Sequence, residues 1–257
     1  MISLDDIVEH KKHELERAQE EVPLREIEKM AAPVKNRGFK NAICKEKINL
    51  IAELKKASPS HGIIRRDYNP EGIARIYKNS NAAALSVLTE DKYFQGSVDH
   101  LKAVRRAVDL PILRKDFIIS EYQVYESAIA GTDAILLIAA LLDKGMLRGL
   151  YNEAKALGID VLVEVHDERD LDKALGTGAE MIGINNRNLK TLEVDLNTTI
   201  DLLPKIPPEK IIISESGIRD HEDVQKLSEA GVRALLIGAV FMEADDIGAE
   251  IKRVMGW

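Results

Sequence analysis

Eight short apolar runs recur along the chain: Ile48–Leu54, Ala83–Thr89, Pro111–Asp116, Ala134–Ile138, Val161–Val165, Met181–Asn185, Lys210–Glu215 and Ala234–Gly238. Most are continuously apolar rather than alternating, the mark of strands covered on both faces in a parallel sheet. Longer helical stretches lie between them. Ser120 with Gln123 makes a capping-box pattern, Asp143 and Asp167 stand where N-caps belong, and Pro70 suits a first helical turn, where its missing N–H is harmless. Gly131, Gly158, Gly178 and Gly231 each stand just before a strand, and Asn81 holds the same place before the second strand. Gly and Asn accept the left-handed conformation that ends a helix, so five helix-to-strand junctions share one turn design.

Eight βα units over about 210 residues predict an α/β fold, a (β/α)8 TIM barrel with an N-terminal helical extension. The rival, an open doubly wound sheet, usually carries a Gly-rich turn after its first strand. Here that strand runs into Leu54–Gly62 without a G-x-G-x-x-G. The 257 residues are read as one domain, with 1–46 as the extension and 47–257 as the barrel. In the extension, Ser3 to Asp6 has the form of a capping box, and Leu4, Ile7, Val8, Leu15 and Ala18 share a helical face. A plug in the barrel bottom and a lid over the active face are both open readings.

Composition narrows the function. With 45% hydrophobic and 31% charged residues, the chain is neither disordered nor fibrous. A net charge of -7 argues against non-specific nucleic-acid binding, and 4% aromatics against stacking platforms for single strands. The lone Cys44 forms no internal disulfide or thiolate metal site and suits a reducing compartment; it is read as a spare thiol or, less simply, a nucleophile. The longest apolar run, Ala134–Leu142, falls far short of the ~20 residues of a membrane helix. Asp5 and Asp6 stand where an export signal wants bases. The expectation is a cytoplasmic protein with no membrane partner.

Strand ends carry the candidate chemistry. Glu53 and Lys55 close the first strand; two residues apart, they point to one side. Lys115 and Asp116 end the third, Glu164 sits within the fifth, Asn185 and Arg187 end the sixth, and Glu215 ends the seventh. Charges in apolar strands are costly unless paired, so they are ion pairs or chemistry. Several at the C-terminal end of one barrel favour chemistry, and mixed Lys and Glu suit acid–base work. Ser216 and Gly217 follow the seventh strand, and Gly238 and Ala239 the eighth. Small residues in those two loops, with a short helix N-terminus, fit a phosphate site, to which Lys55 across the rim adds charge. Taken singly, either glycine is a turn residue. The six histidines show no ligand spacing and are read as solvated surface. Asp5-Asp6 and Asp245-Asp246 are read as helix-start charges rather than metal ligands.

Six motifs in this order resemble the indole-3-glycerol phosphate synthase family. They are Ile51–Ser60, with the specific Glu53-x-Lys55-x-x-Ser58-Pro59 string, Leu85–Gly96, Pro111–Phe117, Leu162–His166, Ile184–Leu189 and Ser214–Ile218. The resemblance spans nearly the whole chain. It implies conversion of 1-(2-carboxyphenylamino)-1-deoxyribulose 5-phosphate to indole-3-glycerol phosphate, CO2 and water, with no cofactor and no metal. It matches Lys115 to a general acid on the ketone oxygen, Glu164 and Lys55 to proton carriers, and Glu53 to a carboxylate that stabilises positive charge or takes a proton. Asn185, Arg187, Glu215 and Ser216 match further site positions. Ser58, Pro59, Phe94, Phe117, Leu136, Leu189 and Leu236 match the wall for the aryl ring. Lys55, Ser216, Gly217, Gly238 and Ala239 match the phosphate cradle. The family often has Ser or Thr where this chain has Ala239; the missing hydroxyl weakens substrate binding by ~1 kcal/mol at most. The expected partner is a small phosphorylated substrate, for which Lys55, Lys115 and Arg187, with the N–H groups of the last two loops, are expected to make one cationic mouth, and the expected state is a monomer. A Schiff-base lyase or aldolase using Lys115, another phosphosugar barrel such as an isomerase, and a non-catalytic barrel stand as alternatives.

Overall fold

The computed structural model describes residues 4–189 and 191–257. Three helices come first: α1 (Leu4–Glu21), α2 (Leu24–Met30) and α3 (Phe39–Ala42). They lead into β1 (Asn49–Leu54), then a small antiparallel pair, β2 (Ala57–Ser58) and β3 (Gly62–Ile63). The chain continues with α4 (Pro70–Asn79), β4 (Ala84–Leu88), α5 (Val98–Ala107), β5 (Ile112–Lys115), α6 (Glu121–Ala130) and β6 (Ala134–Ile138). Next are α7 (Lys144–Ala156), β7 (Asp160–Val165), α8 (Glu168–Thr177), β8 (Met181–Asn185), α9 (Asn197–Leu202) and β9 (Ile211–Glu215). It ends with α10 (His221–Glu229), β10 (Ala234–Ile237), α11 (Ala239–Glu243) and α12 (Ile247–Met255). All eight expected strands form, and β1 with β4 to β10 close a parallel barrel in chain order, β10 returning to β1. The hairpin β2–β3 is an addition that the apolar pattern did not announce.

Period-two alternation sorts each strand between two cores. Leu50, Ala52 and Leu54 of β1, and Ile135 and Leu137 of β6, face the helices. Ile51, Leu136, Ile138, Leu162, Ile213 and Leu236 fill the barrel interior. Because both faces are covered, the strands read as continuous apolar runs. The junction residues are all left-handed: φ is 76° at Gly131, 74° at Gly158, 82° at Gly178, 100° at Gly231 and 61° at Asn81. The anticipated caps form at Asp143 and Asp167, and Pro70 opens α4 as expected, behind an Asn69 cap that was not anticipated. Ser120 accepts from the Tyr122 N–H, but the Gln123 side chain accepts from Ile119 rather than Ser120, so the reciprocal bond lands one residue early. No described helix is long and apolar enough to cross a membrane.

The extension acts at both mouths of the barrel. Phe39 and Ile43 pack with Ala84, Ala134, Met181 and Ala234, the residues that open their strands, and so plug the N-terminal mouth of the barrel. At the opposite end, Leu4 and Ile7 of α1 line the cavity over the strand C-termini. Ser3, the expected cap of α1, lies outside the described residues. The apolar face of α1 is broken by Lys11, which is only 1% exposed. Its ammonium lies 3.0 Å from Asp116, next to the end of β5, and 2.7 Å from Glu14. Asp116 also meets Arg114 at 3.0 Å and Thr89 at 2.5 Å, so α1 is tied to the barrel by a buried charge network. With Lys11 and Arg114 beside it, the Asp116 carboxyl overcomes its burial and drops to about 2.

Candidate active site

A cavity of about 230 Å³ opens at the C-terminal ends of the strands. Every residue expected to form the site lines it: Glu53, Lys55, Ser58, Pro59, Phe94, Lys115, Phe117, Leu136, Glu164, Asn185, Arg187, Leu189, Glu215, Ser216, Gly217, Leu236, Gly238 and Ala239. Its floor is a charged layer. Glu53, Lys115, Glu164 and Glu215 come from the first, third, fifth and seventh strands of the circuit, and alternate strands are the ones that share a layer in this barrel. Lys115 Nζ lies 2.8 Å from Glu164 Oε2 and 2.7 Å from Glu215 Oε2. Asn185 Nδ2 donates to Glu164 Oε1 at 3.2 Å. On the adjoining side, Lys55 Nζ lies 2.8 Å from Glu53 Oε2.

The layer separates its protonation states. Burial opposes charge on Lys115, but Glu164, Glu215 and Glu53 outweigh it and hold the ammonium well above its usual range. Burial also opposes charge on Glu164; Lys115 and His166 overcome it and hold this carboxyl well below its usual range. Glu215 goes the other way. Burial, reinforced by the Glu164 and Glu53 charges, pushes it up to about 7 despite Lys115. Its Oε1 is buried without a hydrogen-bond partner among the described residues. Gly183 makes the room for that oxygen, since a Cβ there would collide with it.

The walls are apolar and the far end is built of backbone. Phe94 and Phe117 have ring centroids 6.0 Å apart. Phe94 is set by Glu90, whose buried carboxylate accepts from the N–H groups of Lys92, Tyr93 and Phe94. Ser58 and Pro59 sit on the turn of the β2–β3 hairpin, where His61 bonds to Ser58 and Ser60. Ser216 and Gly217 take successive left-handed conformations, φ 66° and 86°, and Asn186 donates to the Ser216 carbonyl to hold that turn. A side chain at Gly217 would meet Val194 at 2.5 Å. Gly238 caps α11, so the N–H groups of its first turn open where Gly238, Ala239 and Val240 line the cavity. A Cβ at Gly238 would lie 2.5 Å from Glu53 Oε2. Backbone donors at such a turn and helix start suit a phosphate.

The geometry corrects three expectations. Lys55 is not across the rim from the last loop: β1 and β10 are neighbours, and Lys55 stands beside Gly238 through Glu53. The histidines are not all solvated surface. His61 is exposed as expected, though it lines the cavity, but His166 is 12% exposed, with Nε2 3.2 Å from Glu164 Oε1 and Nδ1 3.3 Å from Asp170. His10, Glu14 and Asp91 also gather, with His10 2.9 Å from Asp91, although Lys11 already pairs with Glu14. Third, the mouth is not a cationic patch. Lys55, Lys115 and Arg187 share the lining with Glu53, Asp116, Glu164 and Glu215. Asp246 caps α12, and Asp5 and Asp6 open α1, as expected of helix-start charges. Cys44 is exposed and does not line the cavity.

Sequence reasoning missed Gly183, Glu90, His166 and Leu192, while Leu4 and Ile7, named on the apolar face of the extension, line the cavity as the lid reading expects. His166 was findable: it stands two residues after Glu164, the same parity that pairs Glu53 with Lys55. Gly183 depends on a carboxylate of the neighbouring strand, whereas Glu90 holds its own loop through N–H groups two to four residues on.

Comparison with known proteins gives the family. The family model described as indole-3-glycerol phosphate synthase matches residues 4–254. The chain is 48% identical over 246 residues to the indole-3-glycerol phosphate synthase of Thermoanaerobacter pseudethanolicus, covering 95% of this chain and 94% of that protein. It is 47% identical over 258 residues to that of Polaromonas naphthalenivorans, covering 98% of each. Among solved structures, 3-hexulose-6-phosphate synthase from Salmonella typhimurium superposes with a TM-score of 0.66 over 81% of this chain and 97% of that one, at 15% identity, a likeness of fold alone. With the family model spanning the barrel and the described part of α1, the chain belongs to the indole-3-glycerol phosphate synthase family.

Proposed function

We propose that this chain closes the indole ring of indole-3-glycerol phosphate from 1-(2-carboxyphenylamino)-1-deoxyribulose 5-phosphate, releasing CO2 and water. The observation that carries this reading is Lys115, held protonated between Glu164 and Glu215 at the floor of an apolar-walled cavity with backbone donors at its edge. The aryl carbon is a weak nucleophile, so the ketone must be polarised as the new C–C bond forms. Lys115 is assigned as the acid that does so, its proton going to the ketone oxygen and leaving a hydroxyl. Breaking the bond to the carboxylate then returns its electron pair to the ring as CO2 departs. Dehydration follows. The hydroxyl leaves with a proton, for which Lys55 is the assigned donor, and Glu53 or Glu164 takes the C–H proton that completes the double bond.

Phe94, Phe117, Leu136, Leu189 and Leu236, with Ser58 and Pro59, are assigned to the aryl ring. Ser216, Gly217, Gly238 and Ala239, with Lys55 beside them, are assigned to the phosphate; at Ala239 only the backbone N–H remains. Binding there orients the reacting carbons at a distance. Asn185 holds Glu164, and Arg187 is assigned to the substrate's polar groups. A Schiff base at Lys115 is disfavoured, because an amine held this strongly as ammonium is a poor nucleophile. The protein is proposed to act as a cytoplasmic monomer. Mixing it with the substrate and following indole fluorescence tests the reading, and absence of signal from folded protein refutes it. Borohydride added during turnover is expected to trap no adduct; a covalent adduct at Lys115 would restore the Schiff-base alternative.

A further inference from the structure

Behind Glu164 a carboxylate–imidazole–carboxylate chain runs out of the active layer into α8. His166 Nε2 lies 3.2 Å from Glu164 Oε1, and His166 Nδ1 lies 3.3 Å from Asp170 Oδ2. Asp170 also accepts from the His166 backbone N–H at 3.3 Å, so one carboxylate fixes both the ring and the turn that carries it. Asp170 is itself set by the N-cap, Asp167, which accepts its N–H at 2.9 Å. Asp170 Oδ1 faces Lys173 at 3.5 Å. His166 does not line the cavity; it reaches the chemistry only through Glu164. The Nε2–Oε1 approach is off the line of a hydrogen bond, so the link to Glu164 is one of charge.

The proposed proton transfer makes that charge matter. When Lys115 gives up its proton, Glu164 and Glu215 lose the cation they share, and Lys55 is already paired with Glu53. A second buried cation against Glu164 keeps this carboxylate from recapturing the proton. Burial opposes an imidazolium at His166, but Asp170 and Glu164 outweigh it and push its pKa up to about 9, so the ring is charged at neutral pH. Glu164 is otherwise faced by Lys115 from β5, Asn185 from β8 and Glu215 from β9, while β6 lines the cavity with the apolar Leu136 and Ile138.

We infer that His166, oriented by Asp170, is a positioning residue for the reaction proposed above, holding the Glu164 carboxylate in place and charged opposite Lys115 without touching the substrate. The test is the pH profile of indole formation by His166→Gln and Asp170→Asn beside the unaltered protein. For His166→Gln, kcat falls roughly tenfold, a part of the ~10²–10⁴ that a placed acid–base group contributes, while KM stays within about twofold. Losing the cation lets Glu164 take a proton at higher pH, so the acid limb of kcat moves up by about one pH unit. Asp170→Asn moves the limb in the same direction by less, and carries the test alone if His166→Gln folds poorly. An unmoved acid limb in folded variants, with stability alone reduced, overturns the inference. Failure of the unaltered protein to form any indole product is a separate outcome, and refutes the reaction on which the inference rests.

Discussion

At the residue scale, one cation and two carboxylates from three strands set the chemistry. Lys115 sits between Glu164 and Glu215, and the two glutamates are driven apart in acidity by burial and by their different neighbours. Glu215 has the consequence simplest to measure. Its folded carboxyl, at about 7, binds a proton more tightly than the unfolded chain does at about 4.5. The stability this proton contributes is complete below the unfolded value and is lost as pH rises through the folded one. Urea unfolding of Glu215→Gln against the unaltered protein therefore gives a stability difference that moves in favour of the variant between about pH 4.5 and 7. A pH-independent difference would show that Glu215 is not protonated in the native state. Gly183 depends on the same carboxylate. Gly183→Ala drives a Cβ into Glu215 Oε1 and shifts the layer, with a loss in turnover of about 10²-fold expected from steady-state kinetics. The shared side of Glu53 and Lys55 was legible in the sequence because strands alternate with period two, and Lys115 and Glu164 stood out as charges in apolar strands. Gly183 was not, since its reason is an oxygen on the neighbouring strand.

At the element scale, the eight strands and five junctions were legible because local rules decide them: apolar runs make covered strands, and Gly or Asn accepts the left-handed turn. The extension's helix was legible too, from its apolar face, but its placement was not, because its two ends serve opposite mouths of the barrel. Phe39 closes the bottom, where Phe39→Ala is expected to cost roughly 3–5 kcal/mol in denaturant unfolding while activity per folded molecule is kept. Over the other mouth, α1 is held by Lys11, a buried charge on its apolar face whose partner the sequence does not show. Lys11→Met removes one of two cations from the buried Asp116, and about 3 kcal/mol of stability goes with it. Because Leu4 and Ile7 hang from the same helix, its KM rises more than its kcat falls. Unchanged kinetics would mean that α1 takes no part in holding substrate.

At the scale of the whole molecule, a protein of net charge -7 is proposed to act on an anion. The cavity does not answer this with a positive patch, since Lys55 and Lys115 are neutralised where they stand. Backbone N–H groups of the last two loops, with the already paired Lys55 beside them, are left to hold the phosphate. Association is therefore not steered over long range, and salt relieves a weak repulsion instead. Between about 10 and 150 mM of a salt whose anion does not compete, kcat/KM is expected to hold or rise. A steep fall would reveal a cationic field that this charge arrangement lacks. Charge pairing of this kind was not legible in the sequence, which counts charges but does not tell which of them meet. The same pairing makes Lys115 the pivot of the account. The most direct test is indole formation by Lys115→Ala beside the unaltered protein, with circular dichroism and thermal unfolding to show that the variant is folded. Loss of turnover by about 10²–10⁴-fold is predicted for a missing general acid, and near-normal turnover from folded Lys115→Ala would contradict the account.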